Sequence, residues 1–236
     1  MWFENLFPKK TEPKPRISIE VEPDFENFVP EEFKQDPITY FEKKGMQIKP
    51  GEVVVDKTGK IREDPTAVRT FVWQDAQGNQ INVVIKKVNI RKGQVMKSRD
   101  PFYEYKVMKL VHELGLPTAR PIASVIQVRN GETHYFIVIE KVGGFSWYER
   151  EIVASKLKEK GFSDQEIENL RREAQNMMEN LKRRFEEIGI IRGWKLQDMI
   201  FDIDFETGRI RKIIPVDWEK TKIDKKKIEE YKRKRN

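Results

Sequence analysis

The chain has 236 residues, 38% of them hydrophobic and 36% charged, with a formal net charge of +7 and no cysteine. That length supports one large domain or two small lobes, and the recurrence of aromatic and β-branched residues excludes a disordered chain. Zero cysteine excludes disulfides, thiolate catalysis and cysteine-based zinc sites, and two histidines are too few for a histidine-rich metal centre.

No apolar run reaches the roughly 18 residues of a membrane span. The N-terminus lacks a basic segment followed by an apolar stretch, so a cytoplasmic protein is expected. A charge-dense, cysteine-free composition also fits a thermostable protein.

Residues 1–50 hold seven of the twelve prolines, among them Pro8, Pro13, Pro15, Pro23, Pro30 and Pro37. So many prolines resist long helices and central strands, and the segment reads as an extended arm laid over the domain or a partner. Trp2, Phe3, Leu6 and Phe7 share one apolar face within it. From residue 51 the pattern turns to strands: Glu52–Asp56, then Ala67–Trp73, then Ile81–Val88, with turns at Lys57–Lys60 and at Asp75–Asn79. Asp100-Pro101 opens a helix whose apolar residues are Phe102, Tyr105, Val107, Met108, Val111 and Leu114, and Gly115 ends it. Two strands follow, Ser124–Arg129 and Thr133–Lys141, joined at Asn130-Gly131, a hairpin signal.

The second half is helical. Trp147–Lys160 is one helix, stopped at Gly161. Ser163 and Glu166 form a capping box. After it Ile167, Leu170, Ala174, Met177, Leu181, Phe185 and Ile188 step by three and four residues, the stripe of a core-facing helix. A strand at Asp198–Asp204, a turn at Glu206–Gly208 and a strand at Arg209–Val216 complete the order. Nine basic and three acidic side chains occupy residues 220–236. Such a tail attracts nucleic acid or anionic lipid, although a solvated helix end is the plainer reading.

Several local motifs resemble those of the protein-kinase-like superfamily. Val83-Val84-Ile85-Lys86 resembles the strand-3 lysine motif, in which the lysine contacts nucleotide phosphates and pairs with a helix glutamate; Glu104 stands at the spacing of that glutamate. Glu104–Pro121 is similar to lipopolysaccharide-type and aminoglycoside-type small kinases. The stretch from Phe136 to Gly144 resembles the fifth strand and hinge, where the backbone of Glu140 and Val142 would bind adenine beside Ile139 as gatekeeper. Val216-Asp217-Trp218-Glu219 resembles the motif whose aspartate holds Mg²⁺ on the phosphates. The resemblance spans residues 51–222. It implies an α+β, bilobal fold: a five-stranded antiparallel N-lobe with one inserted helix (51–142), a truncated, mainly helical C-lobe (143–222), the arm (1–50) and a basic tail (223–236).

Three departures bear on activity. Trp194 occupies the position of the catalytic aspartate, and indole has one N–H donor and no basic site. Met199 stands where the second metal ligand belongs, and a thioether is unsuited to Mg²⁺. The first hairpin, Asp56–Lys60, has one glycine where a glycine-rich loop would wrap phosphates. Asp198 and Asp202 are the fallback carboxylates, and strand acids facing solvent are the plainer reading for both. The expectation is therefore a pseudokinase that binds ATP with Mg²⁺ at Lys86, Glu104 and Asp217, or that serves as a protein-binding scaffold. One alternative is a divergent phosphotransferase acting on a small-molecule, sugar or protein hydroxyl. Another is an assembly component held to a protein partner, or to copies of itself, by the arm.

Overall fold

The computed structural model describes residues 16–44, 46–47, 68–88, 100–218 and 220–235. The expected strand Glu52–Asp56, its turn Lys57–Lys60, the apolar face at Trp2–Phe7 and Glu219 lie outside the described residues. The chain is mixed α/β and divides into two compact units: residues 1–89 with 123–138, and residues 90–122 with 139–236. Among the described residues, no helix is long and apolar enough to cross a membrane.

The first unit carries a six-stranded sheet. Its strands are β1 (Arg16–Val21), β2 (Met46–Gln47), β3 (Val68–Gln74), β4 (Gln80–Val88), β5 (Pro121–Arg129) and β6 (Glu132–Glu140), in the order β1-β5-β6-β4-β3-β2. The two predicted hairpins form. Asp75 accepts the amides of Gln77 and Asn79 at 2.9 and 2.8 Å, which folds the first turn. Asn130 and Gly131 take φ of 52° and 78°, the paired positive values of a two-residue turn that matches strand twist.

Residues 16–44 differ from the extended arm expected there. β1 pairs antiparallel with β5, from Arg16 opposite Val128 to Val21 opposite Ala123. Two helices follow, α1 (Glu31–Gln35) and α2 (Pro37–Lys44). Number of prolines misled where position decides: Pro23 starts a 3₁₀ turn, Pro30 precedes α1 and Pro37 is the first residue of α2. At a helix start proline removes only an amide that has no partner anyway.

The reward for ordering this segment is aromatic. Phe33 lies edge-on to Tyr40 at 5.4 Å and 5.2 Å from Trp73, Tyr40 stacks on Phe71 at 5.1 Å, and Phe41 meets Phe136 at 5.5 Å. Each such pair adds about 0.5–1.5 kcal/mol beyond its burial. Gln127, wholly buried on β5, ties the helices to the sheet. Its Oε1 accepts the Ile38 amide at 2.8 Å and its Nε2 donates to Asp36 at 2.8 Å.

In the second unit α3 (Tyr103–Glu113) starts where Asp100 accepts the Phe102 amide at 2.9 Å. A two-residue strand, β7 (Phe145–Ser146), joins β9 (Met199–Asp204) and β10 (Arg209–Pro215) in a three-stranded sheet ordered β10-β9-β7. A second short pairing joins β8 (Ile190–Ile191) to β11 (Lys222–Ile223). The expected helix Trp147–Lys160 begins as a 3₁₀ turn and continues as α4 (Arg150–Glu159).

α5 (Asp164–Ile188) is the predicted striped helix, capped by Ser163 and Glu166. Its buried set contains Met178 rather than Met177, which keeps the steps at four, three, four and three from Ala174 to Ile188. Gly189 ends it at φ 100°, where a Cβ would meet the Asp224 carbonyl oxygen at 2.8 Å. The predicted basic tail is largely a docked helix, α6 (Lys225–Arg235), with Ile228 buried and the Arg235 guanidinium donating to the Leu114 carbonyl.

Replacing Gln127 with Leu leaves the Ile38 amide buried without its acceptor. The expected cost is about 1–3 kcal/mol, read as a lowered midpoint in urea unfolding with an unchanged slope.

Candidate functional site

The second unit brings together one buried cation, two indoles and two aspartates. Arg192 follows β8 directly and is 7% exposed. Its Nη2 donates to the Val216 carbonyl at 2.9 Å and lies 3.5 Å from Asp198 Oδ2. The guanidinium carbon sits 4.7 Å from the Trp218 ring centre and 5.2 Å from that of Trp194. Both indoles pack on Phe185 of α5, Trp218 stacked at 5.7 Å and Trp194 edge-on at 5.3 Å. A flat, weakly hydrated guanidinium suits such a surface better than an ammonium would.

Burial weakens the hold of Arg192 on its proton, and the charges of Asp198, Asp217 and Glu104 oppose that. Glu104, in the first turn of α3, is 9% exposed. One nitrogen, Nη1, is buried without a hydrogen-bond partner, as are the ring nitrogens of Trp194 and Trp218.

Asp198 sits in a 3₁₀ turn before β9. Its carbonyl accepts the Val216 amide at 2.8 Å, which fixes the end of β10 beside it. Its carboxyl holds its proton more tightly than an ordinary aspartate. Burial is the first cause and the charge of Asp217 the second, against the pull of Arg192 and Lys195. Asp217 follows at once with φ 64°, a left-handed conformation rare outside glycine, asparagine and aspartate. Such backbone persists where the surroundings hold it, and the Val216 amide and carbonyl on its N-terminal side are both held, by Asp198 and by Arg192.

The remaining predicted residues are placed as follows. Trp194 is half-buried against Phe185, so its ring is a packing element. Met199 is wholly buried, with its sulfur in the core. On β9 Met199, Phe201 and Ile203 alternate inward, and Asp202 and Asp204 stand on the other face. Asp202 lies 3.6 Å from Arg211, and Asp204 caps the following turn by accepting the Glu206 amide at 2.9 Å. Lys86 is on β4 in the first unit, opposite Val68 of β3. Ile139 and Glu140 close β6, and Val142 follows it. The Glu140 amide is already donated to the Arg120 carbonyl at 2.9 Å, and its carboxylate accepts from Arg120 at 2.6 and 3.2 Å.

Arg192 was not singled out by the sequence reading. The available signal was a lone arginine between Ile190-Ile191 and Trp194, in a stretch otherwise fit for burial.

Magnesium keeps several waters and is held in nucleotide sites by one or two carboxylates plus phosphates. Asp198 and Asp217 fit that donor set. Among the described residues no cluster of three or more potential ligands exists, so an all-protein cage is not formed.

The chain matches no protein-family model, and no curated protein matches it. Two solved structures are similar. One is WaaP in complex with acyl carrier protein, at 16% identity, over 89% of this chain and 73% of that one, with a TM-score of 0.42. The other is the Rio2 kinase–ADP/Mg²⁺–phosphoaspartate complex from Chaetomium thermophilum, at 17% identity, over 71% of this chain and 49% of that one, with a TM-score of 0.36. Both neighbours belong to the protein-kinase-like superfamily. The chain thus spans about half the length of the second, and at these values the likeness carries nothing about activity, substrate or partner.

A carboxyl whose proton affinity is raised by folding contributes most below its unfolded value of 3.8, and that contribution is lost as pH rises through its higher folded value. Asp198→Asn in metal-free buffer should therefore be neutral to stabilising at pH 7. The difference from the unsubstituted protein should vanish at pH 3, measured by urea unfolding across that range.

Proposed function

We propose that this chain is a kinase-like module that binds a magnesium–nucleotide and lacks the usual machinery for phosphoryl transfer. One observation carries the reading: Arg192 lies 3.5 Å from the Asp198 carboxylate and donates at 2.9 Å to the carbonyl of Val216, the residue before Asp217, while the side chain in the catalytic aspartate position is an indole packed on Phe185. Asp217 and Asp198 would be the metal ligands, and Lys86, Ile139 and the backbone near Val142 the nucleotide contacts implied by the motif resemblance. The Glu140 amide is excluded from that set by its bond to Arg120. Held by the carboxylates of Asp198 and Asp217, the metal would supply charge neutralisation for the phosphates. The protein's own part is to hold two hard oxygen donors against a backbone pinned by Arg192.

Loss of the acid–base group fits binding without turnover, since indole cannot accept the proton of an attacking hydroxyl. A second reading draws on the raised proton affinity of Asp198, which is a property of catalytic bases. In it the chain is a divergent phosphotransferase with Asp198 as the base. Asp202 drops out of both readings, being paired outward with Arg211.

The test is thermal unfolding with ATP and Mg²⁺, beside a sensitive assay of ATP turnover. A ligand that binds only the folded state adds about 2.7 kcal/mol at a hundredfold excess over Kd. The expected result is a raised midpoint that is lost in Asp217→Asn and in Lys86→Ala, kept in Asp202→Ala, and accompanied by no turnover. Magnesium-dependent turnover abolished by Asp198→Asn would establish the phosphotransferase instead. No shift in any form would remove the nucleotide site.

A further inference from the structure

We infer that Arg192 is a built-in counter-cation that limits how tightly Asp198 and Asp217 hold a divalent metal ion, so that the metal arrives with a ligand rather than alone. The inference rests on the metal reading above and specifies how that site is regulated.

The geometry gives two reasons. First, the guanidinium cannot leave. It is 7% exposed, lies against two indoles that both pack on Phe185, and donates to a main-chain carbonyl. Secondly, it stands 3.5 Å from Asp198, within the field of Asp217 and Glu104. A dication held by Asp198 would therefore be close to a fixed positive charge that water screens poorly. An anionic group carried in with the metal would offset that repulsion, and a bare ion would not.

Arg192 is thus a positioning residue with two effects: it fixes Val216 and hence Asp217, and it lowers the affinity for free metal. Arg192→Gln removes the charge; its side chain is two bonds shorter and also gives up the Nη2 bond to the Val216 carbonyl, a loss that works against tighter metal binding. Arg192→Lys keeps the charge.

The experiment titrates Mn²⁺ alone, without nucleotide, and follows free Mn²⁺ by electron paramagnetic resonance, with circular dichroism to confirm folding. The expected result is a dissociation constant lower in Arg192→Gln by roughly tenfold, with Arg192→Lys binding as the unsubstituted protein does. Equal or weaker affinity in a folded Arg192→Gln variant would overturn this inference alone. Absence of Mn²⁺ binding in every form would overturn it together with the metal reading. Should Arg192→Gln not fold, the unsubstituted protein still decides. A Mg²⁺ titration should move the Arg192 Nε–H resonance in ¹⁵N spectra, and an unmoved resonance while Asp198 and Asp217 amides shift would refute the role.

Discussion

The hydrogen bond from Arg192 to the Val216 carbonyl, at 2.9 Å, joins the two halves of the candidate site. Arg192 comes from the segment after β8 and Val216 from the segment after β10, and the Asp198 carbonyl meets the Val216 amide from the opposite side. With both main-chain groups of Val216 committed, the chain has little freedom left when it reaches Asp217, which adopts φ 64°. A left-handed non-glycine residue costs on the order of 1–3 kcal/mol and persists where its neighbours over-determine it. Here the over-determination is visible residue by residue.

The buried cation has to be supported as well as used. Among the described residues Arg192 is the only buried lysine or arginine. An isolated buried charge would be costly, and the unit offsets that cost with nearby carboxylates and with the faces of two indoles. Those indoles are held by Phe185, one of the inward residues of the α5 stripe. The long helix therefore supplies more than core. Its last buried aromatic is the floor on which the arginine, and through it the aspartates, are set.

Most of the regular structure was legible because each element announced itself locally. The α5 stripe with its Ser163–Glu166 cap, and the Asn130-Gly131 hairpin, need no information from elsewhere in the chain. Residues 16–44 were not legible from proline number, because proline at the first position of a helix is compatible with it. Ile17, Ile19 and Val21 nonetheless alternate as an edge strand does. In the second unit Asp217 is named by its motif and Asp198 as a fallback carboxylate one residue before Met199. What the sequence does not carry is the buried arginine beside them, since its place depends on Trp218 and the Val216 carbonyl, both distant in the chain.

Trp194 was readable as a departure but not as a part. Sequence says that an indole cannot replace a carboxylate base. It does not say that the ring lies against Phe185 within about 5 Å of the arginine beside it. Placement changes the meaning of the substitution. A carboxylate at that position would have added another negative charge next to Arg192, satisfying the guanidinium locally and loosening its hold on Asp198 and Val216. The indole stabilises the same cation through its face and leaves the arginine's charge directed at Asp198 and Asp217. One residue thus has two consequences in the unit: it packs the end of α5, and it supports the cation that holds Val216.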